Sequence, residues 1–333
     1  MSRGSTEIAL SIPVETAWSA LAAPGLREWY HRLTPEGAFA VGEAIRWIDV
    51  RGDVAEESEV VELKAPRRLV LHTRYVFSPA FAKEPPHTVS WEVIEEPSGC
   101  RVRWSWDAND RVAHFLDSEG HYSLQALRLE HDPVAKAEIA RRPSIGEVEI
   151  HDVTPDRVSD YQAFFDHDAF RDFPQWQACY CMSPYQTDNS EDLEPTAAEN
   201  RRDMSARLVR REATALLAYV DGRPVGWCNY GDTTAFGGLL QRFELKPTDY
   251  ERVGSIACFV IAAPYRGHGV ATRLLGAALD RMRSRGVRVV EAYPAKDTRS
   301  SQSNFRGPLS MYLKAGFRRH RETGPYHIVR KTL

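Results

Sequence analysis

The stretch that most constrains this chain is Cys258–Gly286, CFVIAAPYRGHGVATRLLGAALDRMRSRG. An apolar run enters Pro264-Tyr265, a glycine-bearing turn follows, and an amphipathic pattern begins. Val270, Leu274, Ala278 and Met282 recur at helical spacing, and Arg273, Asp280, Arg281 and Arg283 fall off that stripe. Gly286 closes the helix, with arginines in the last turn where the dipole favours cations. A strand feeding a helix through such a turn implies an α/β layer. The first N–H groups of the helix lack intrahelical partners, and glycines let a ligand approach the backbone closely. A pyrophosphate fits such a helix start. Dinucleotide folds and phosphate loops use related devices, so the turn alone leaves the ligand open.

The neighbouring sequence gives an order. Residues 147–153 read as a strand, and Thr154-Pro155-Asp156 as a helix start with Thr154 at the N-cap. A second helix is expected over 195–211. LLAYV and PVGWCNY flank Asp221-Gly222, which suits a type I′ hairpin turn. A strand at 254–262, a helix at 268–285, a strand at 287–293, a short helix near 308–315 and a closing hairpin follow. This order predicts a mixed α/β sheet with a ligand site at a switch point.

Residues 1–135 have a different texture. A strand is expected at 6–12, a helix opening at Pro13 with Val14, Trp18 and Leu21 inward, and a short helix over Leu26–His31. Strand-like runs occupy 43–50, 54–63, 68–77, 87–95 and 100–107, and a helix with Leu116, Leu124 and Leu127 covers 115–130. Residues 136–146, proline-bearing and charged, read as a linker to a second domain at 147–333.

Arg266-x-x-Gly269-x-Ala271 resembles the acetyl-CoA signature of the GNAT N-acetyltransferases, and Met311-Tyr312-Leu313-Lys314-Ala315-Gly316-Phe317 resembles that family's second signature. The resemblance implies the GNAT acyl-CoA N-acyltransferase fold with a mixed central sheet, and acetyl-CoA as co-substrate. It implies pyrophosphate binding by Arg266, Gly267, His268, Gly269, Val270, Ala271 and Thr272, and pantetheine pairing at Phe259 and Ile261. Tyr312 takes the place of the general acid beside the CoA sulfur. Asn304 lies eight positions before that tyrosine where the family's asparagine lies seven, which puts its contact to CoA in doubt. Locally, C-Y-C at 179–181, N-R-R at 200–202 and C-F-V at 258–260 resemble a group of GNAT-like proteins and leave the acceptor open.

The first domain resembles the helix-grip fold of the START-like (SRPBCC) superfamily, in its AHSA-like branch. The resemblance rests on I-P-V-E-T-A-W-S-A-L at 12–21, V-G-E at 41–43, A-P-R-R-L at 65–69 and G-H-Y-S-L-Q-A-L at 120–127. It implies a two-domain α+β and α/β chain whose first domain takes a hydrophobic ligand or a protein partner.

Acetyl transfer needs a neutral amine, and a lysine-like amine has a pKa near ~10.4, so a proton acceptor is required. Glu291, a carboxylate within the apolar run VRVVEAYP, is the candidate base; its alternative is an ion-paired sheet residue. Tyr312 is either the acid or a packed aromatic. His268 either faces the phosphates or solvent. Trp176, Tyr180, Tyr185 and Trp227 either line an acceptor cleft or fill a core.

A net charge of −3 gives no basic field for nucleic acid. No apolar run reaches membrane-span length, and the N-terminus lacks a basic-then-apolar leader, so a cytoplasmic protein is expected. Five scattered cysteines read as reduced thiols, with Cys179 and Cys181 a weak metal pattern and no metal expected. The acceptor is an amine-bearing small molecule or a peptide. A non-catalytic acetyl-CoA sensor with a ligand-binding or chaperone-interaction module is the competing reading.

Overall fold

Alternating apolar residues give each strand of the first half one buried face. The computed structural model describes residues 2–187, 195–246, 252–296 and 304–333. The chain divides into two units, Met1–Ala140 and Asp172–Gln175 forming the first, Arg141–Arg171 and Trp176–Leu333 the second.

In the first unit, β1 (Ser2–Leu10) leads to α1 (Val14–Ala22), then to β2 (Thr34–Glu36), β3 (Ala44–Ile48), β4 (Val54–Lys64) and β5 (Arg68–Tyr75). The short α2 (Pro79–Ala82), β6 (His87–Glu96), β7 (Gly99–Ala108), α3 (Asp110–His131) and α4 (Pro133–Ala140) follow. All seven strands pair antiparallel in the order β1-β7-β6-β5-β4-β3-β2. Asn109 caps α3 by accepting the Val112 N–H, and Val112, Leu116, Leu124 and Leu127 bury its inner stripe. Gly120 lets α3 approach β1, since a Cβ there would stand 3.2 Å from Thr6 Cγ2.

Two expectations change. Leu26–His31 is a turn and not a helix: Tyr30 N–H bonds Arg27 O, Arg27 bridges Leu33, and His31 and Arg32 have φ of 51° and 60°. Arg27, Trp29, Tyr30 and Leu33 all turn inward, which a single helical face does not permit. Trp18 is only half-buried; Val14, Ala17 and Leu21 carry the inner face of α1.

Aromatic rings fill the space between sheet and helix. Trp91 stacks on Trp104 with centroids 4.4 Å apart, and Trp29, Tyr30 and Trp47 pack around them. A cavity beside Arg27, Trp29 and Trp47 measures about 10 Å³, about one water's worth. A polar row crosses this interior. Tyr30 Oη donates to Glu56 at 3.0 Å, Trp47 Nε1 donates to Ser58 at 3.1 Å, and Ser58 and Thr73 share a bond of 2.9 Å. Burial pushes the Glu56 carboxyl up to about 7 and the His31 and His87 imidazoles down to about 4.

The second unit opens with β8 (Glu149–Asp152). Pro155–Arg157 forms a single 3₁₀ turn before α5 (Val158–His167), and the Thr154 hydroxyl does not cap it. Thr196 caps α6 (Ala197–Val209) with a reciprocal Glu199 box. The hairpin β9 (Thr214–Val220) and β10 (Arg223–Asp232) turns at Asp221-Gly222, with φ of 50° and 73° as a type I′ turn requires. Then come α7 (Gly237–Arg242), β11 (Val253–Ile261), α8 (Val270–Ser284), β12 (Val289–Ala292), α9 (Leu309–Lys314), β13 (Arg318–Thr323) and β14 (Tyr326–Thr332).

The sheet order is β13-β14-β12-β11-β10-β9-β8. Among the described residues only β11 and β12 run parallel, so the crossover through α8 makes the sheet mixed. Residues of α5, α6 and α7 cover one face, with Tyr161, Phe165, Met204 and Trp227 buried there. Residues of α8 and α9 cover the other, with Leu274, Ala278, Met282 and Tyr312.

Candidate functional site

Gly267 and Gly269 have φ of 83° and 76°, left-handed values that β-carbon-bearing residues rarely adopt. Among the described residues nothing lies within 4 Å of where their Cβ atoms would stand, so the loop is open as well as turned. Gly269 is the N-cap of α8, and the first intrahelical bond runs from Arg273 N–H to Gly269 O at 3.1 Å. The Val270, Ala271 and Thr272 N–H groups therefore sit outside the helical ladder, at its positive end. Arg266 Nε donates to Ile261 O at 2.8 Å and fastens the loop to the end of β11. His268 is half-exposed in the loop. Val270 is buried against the sheet, so only its backbone is offered outward.

Beside this loop the sheet opens. β11 pairs with β12 only over Val253–Ile256, opposite Val289–Ala292. Farther on, β11 keeps β10 as its neighbour and, among the described residues, pairs with no strand on its other edge. On that edge Phe259 N–H donates to Phe305 O at 2.6 Å, and Ile261 O accepts the Arg266 bond. The edge groups at both positions have partners within the chain, and a ligand pairing there would replace them. Asn304 O accepts Gly307 N–H at 2.7 Å in a tight turn that presents Phe305 to the edge.

Tyr312 sits fully buried on α9, its ring edge-on to Phe317. Its hydroxyl donates to Arg306 O at 2.6 Å. Burial raises its pKa well above the usual phenol value, so the hydroxyl stays protonated. Glu291 faces Arg330 across the β12–β14 pair, and Arg330 Nε reaches Glu291 Oε2 at 2.6 Å. Its burial is thus accounted for by an ion pair. Tyr180, Tyr185 and Trp227 belong to the core cluster on the α5–α6 face, and partly buried Trp176 meets Phe305 edge-on at 5.5 Å.

The structure adds a polar cluster that periodicity does not reveal. Tyr180 and Cys181 have successive left-handed φ of 42° and 59°. Tyr161 Oη holds Tyr180 O at 3.0 Å, and Asn229 Nδ2 reaches Cys181 Sγ at 3.5 Å. Tyr185 Oη fixes that amide by donating to Asn229 Oδ1 at 3.1 Å. Cys258 Sγ donates to Phe259 O at 3.7 Å. Arg306, fully buried, lies over Phe305 and Phe243 at 4.7 and 5.2 Å and reaches Ala257 O at 3.5 Å. Among the described residues its Nε and Nη2 have no hydrogen-bond partner. The C-Y-C spacing was the available signal for Cys181. Nothing about Arg306 or Asn229 in the sequence marks them as buried.

Residues 170–317 match the family model for the acetyltransferase (GNAT) family, and residues 11–124 match that for Activator of Hsp90 ATPase homolog 1-like protein. Among solved structures, an acetyltransferase of the GNAT family from Streptococcus pneumoniae is 16% identical, with a TM-score of 0.35. That match covers 56% of this chain and 100% of the other. The ribosomal-protein-alanine N-acetyltransferase from Brucella melitensis is 15% identical, with a TM-score of 0.35, covering 56% and 99%. The Aha1 dimer from Colwellia psychrerythraea is 17% identical, with a TM-score of 0.33, covering 40% and 98%. No curated protein matches the chain. The chain therefore joins an AHSA1-like domain of the START-like type to a C-terminal acetyltransferase domain of the GNAT family.

Proposed function

We propose that this protein transfers an acetyl group from acetyl-CoA to an amine borne by a small molecule or a peptide. The observation that carries this reading is the start of α8. Two left-handed glycines open a helix N-terminus beside the strand edge that β12 leaves free. The N–H groups from Gly267 to Thr272 would hold the pyrophosphate by hydrogen bonds and helix dipole. Arg266, already fastened to β11, would set the loop. The pantetheine arm would run along the edge at Phe259 and Ile261, taking the Phe259 N–H from Phe305 O. The Asn304 turn would shift with that exchange.

Transfer requires a neutral amine, so a base or a water must take its proton. Glu291 is a carboxylate on the neighbouring strand β12, but its bond to Arg330 favours the structural role and leaves water as the acceptor. Backbone N–H groups would stabilise the developing oxyanion. Tyr312 would protonate the departing thiolate, a role its protonated, buried hydroxyl suits. The first domain would serve ligand or partner binding; its cavity of about 10 Å³ must open to admit anything larger than a water.

One observation favours binding without turnover. The Phe259 N–H and the Tyr312 hydroxyl are both engaged, by the carbonyls of Phe305 and Arg306. The test is acetyl-CoA-dependent thiol release over a mixed amine library with the full chain. Release that depends on one amine class supports transfer. Saturable acetyl-CoA binding with no release over the whole library establishes the sensor instead.

A further inference from the structure

Arg306 is a cation that the fold encloses without an anion. It is fully buried, and among the described residues no carboxylate pairs with it. Its Nη1 makes one long contact, to Ala257 O at 3.5 Å, while Nε and Nη2 are left without a partner there. Those two nitrogens carry the N–H groups of one edge of the guanidinium, an edge that grips a carboxylate with two parallel bonds. An isolated charge in a protein interior is strongly unfavourable, and donors without acceptors add to the cost. The ring centroids of Phe305, Phe243 and Tyr326 stand 4.7, 5.2 and 5.5 Å from the guanidinium carbon. Their faces attract the cation, but they accept no in-plane hydrogen bond from that edge.

The place of this edge in the fold gives it a use. Phe243, Phe305 and Tyr326 pack on the sheet face that α5, α6 and α7 cover, whereas Val270, at the start of α8, and Tyr312 pack on the other. Arg306 joins the two faces. Its carbonyl accepts the Tyr312 hydroxyl at 2.6 Å, and its side chain reaches Ala257 on β11. Gly307, with φ of 80°, sets this turn, since a Cβ there would stand 3.0 Å from Tyr312 Oη. A group bound at the guanidinium would therefore be held by the residue that meets the Tyr312 hydroxyl. It would also lie beside β11, whose edge is proposed for the pantetheine arm.

We infer that the acetyl acceptor is a free amino acid, whose carboxylate pairs with Arg306 while its amine faces the thioester. This rests on the acetyltransferase reading and narrows it. A planar carboxylate matches two parallel N–H groups, and its single charge matches one guanidinium. A peptide N-terminus or a protein lysine has no carboxylate of its own close to the amine, so neither completes the pair. The transfer keeps its balance. The amine nitrogen bonds the acetyl carbon, the C–S bond to CoA breaks, and the CoA thiolate takes the Tyr312 proton. The amine proton then passes through water to the Tyr312 phenolate. Phe305 sets the order of binding. Its ring covers the guanidinium, and its carbonyl holds the Phe259 N–H at 2.6 Å. Pantetheine pairing at Phe259 displaces that carbonyl, so acetyl-CoA binds first and uncovers Arg306 for the acceptor.

The test is acetyl-CoA-dependent thiol release by the full chain over a library of amino acids, each measured beside its carboxamide. Peptides and lysine-bearing proteins run alongside, and rates are compared per unit of neutral amine. One amino acid should exceed its carboxamide in kcat/KM by at least about 30-fold, the effect of removing one partner from a buried charge pair. Initial rates should be sequential, and that amino acid should bind calorimetrically to the CoA-loaded chain and not to the free chain. Arg306→Gln should collapse the ratio, chiefly through the KM of the amino acid, and Arg306→Lys should restore part of it. A purely structural Arg306 would lower both acceptors alike and leave the ratio intact, which overturns the inference. Equal release with acid and carboxamide, or release confined to peptides or proteins, overturns it too and leaves the acetyltransferase reading standing. No release with any amine removes both. Should Arg306→Gln fail to fold, the wild-type ratio and Arg306→Lys still decide.

Discussion

Tyr312→Phe separates the structural bond of one hydroxyl from the acid role proposed for it. The substitution keeps the ring against Phe317 and deletes only the group that donates to Arg306 O at 2.6 Å. That carbonyl is then left in a buried site without this donor, which costs about 1–3 kcal/mol. For a domain of this size each lost kcal/mol lowers Tm by roughly 2–4 °C. If the hydroxyl also protonates the departing thiolate, turnover falls as well. General-acid contributions run at about 10²–10⁴-fold, and a thiolate leaves readily, so a loss near the low end is expected. Acetyl-CoA affinity should hold or rise, because the Phe305–Arg306 segment loses an anchor. The assay is steady-state thiol release with a saturating amine, alongside calorimetry of acetyl-CoA binding. The pH profile adds a sign. An acid must stay protonated, and burial raises this phenol, so the high-pH limb should lie far into the alkaline range and change in the variant. Wild-type turnover in a folded Tyr312→Phe would refute the acid role and leave only the structural bond.

Further outcomes follow from buried groups. Glu56, with a folded pKa of about 7 against 4.5, binds a proton that the unfolded chain has lost, so stability falls as pH rises through that window. The effect is about 3 kcal/mol in full. His31 and His87, lowered from 6.5 to about 4, act in the opposite sense, their stability gained as pH rises over that range. Glu56→Gln should therefore stabilise the first domain near neutrality and steepen the rise between about pH 4.5 and 6.5. Denaturant unfolding at several pH values checks it, and an unchanged slope counts against a protonated Glu56. Thr196→Ala removes the α6 capping box and should cost about 1 kcal/mol without altering acetyl-CoA binding.

The elements with strong periodicity were legible from the sequence. The inner stripe of α8, the Asp221-Gly222 hairpin and the run of strands from 44 to 108 follow from apolar spacing and turn chemistry. Leu26–His31 was not, because four inward residues in a short span obey no period and are held by a turn and an aromatic core. The glycines of the α8 loop announced themselves, since left-handed backbone demands them. The engagement of Phe259 and Tyr312 by Phe305 and Arg306 did not, because those bonds use backbone carbonyls, which every residue has. Burial of Arg306 was invisible for a related reason: arginine in a loop reads as solvated until packing encloses it.

The central claim is that the α8 N-terminus holds acetyl-CoA, and one titration addresses it. Acetyl-CoA is titrated calorimetrically into the full chain and into Gly269→Glu. Gly269 has φ of 76° and open space at its Cβ position, so glutamate there brings strain, bulk and negative charge to the phosphate loop. The expected result is saturable binding to the wild-type chain that disappears in the folded variant. Equal affinity in the two proteins, or no binding to either, would contradict it.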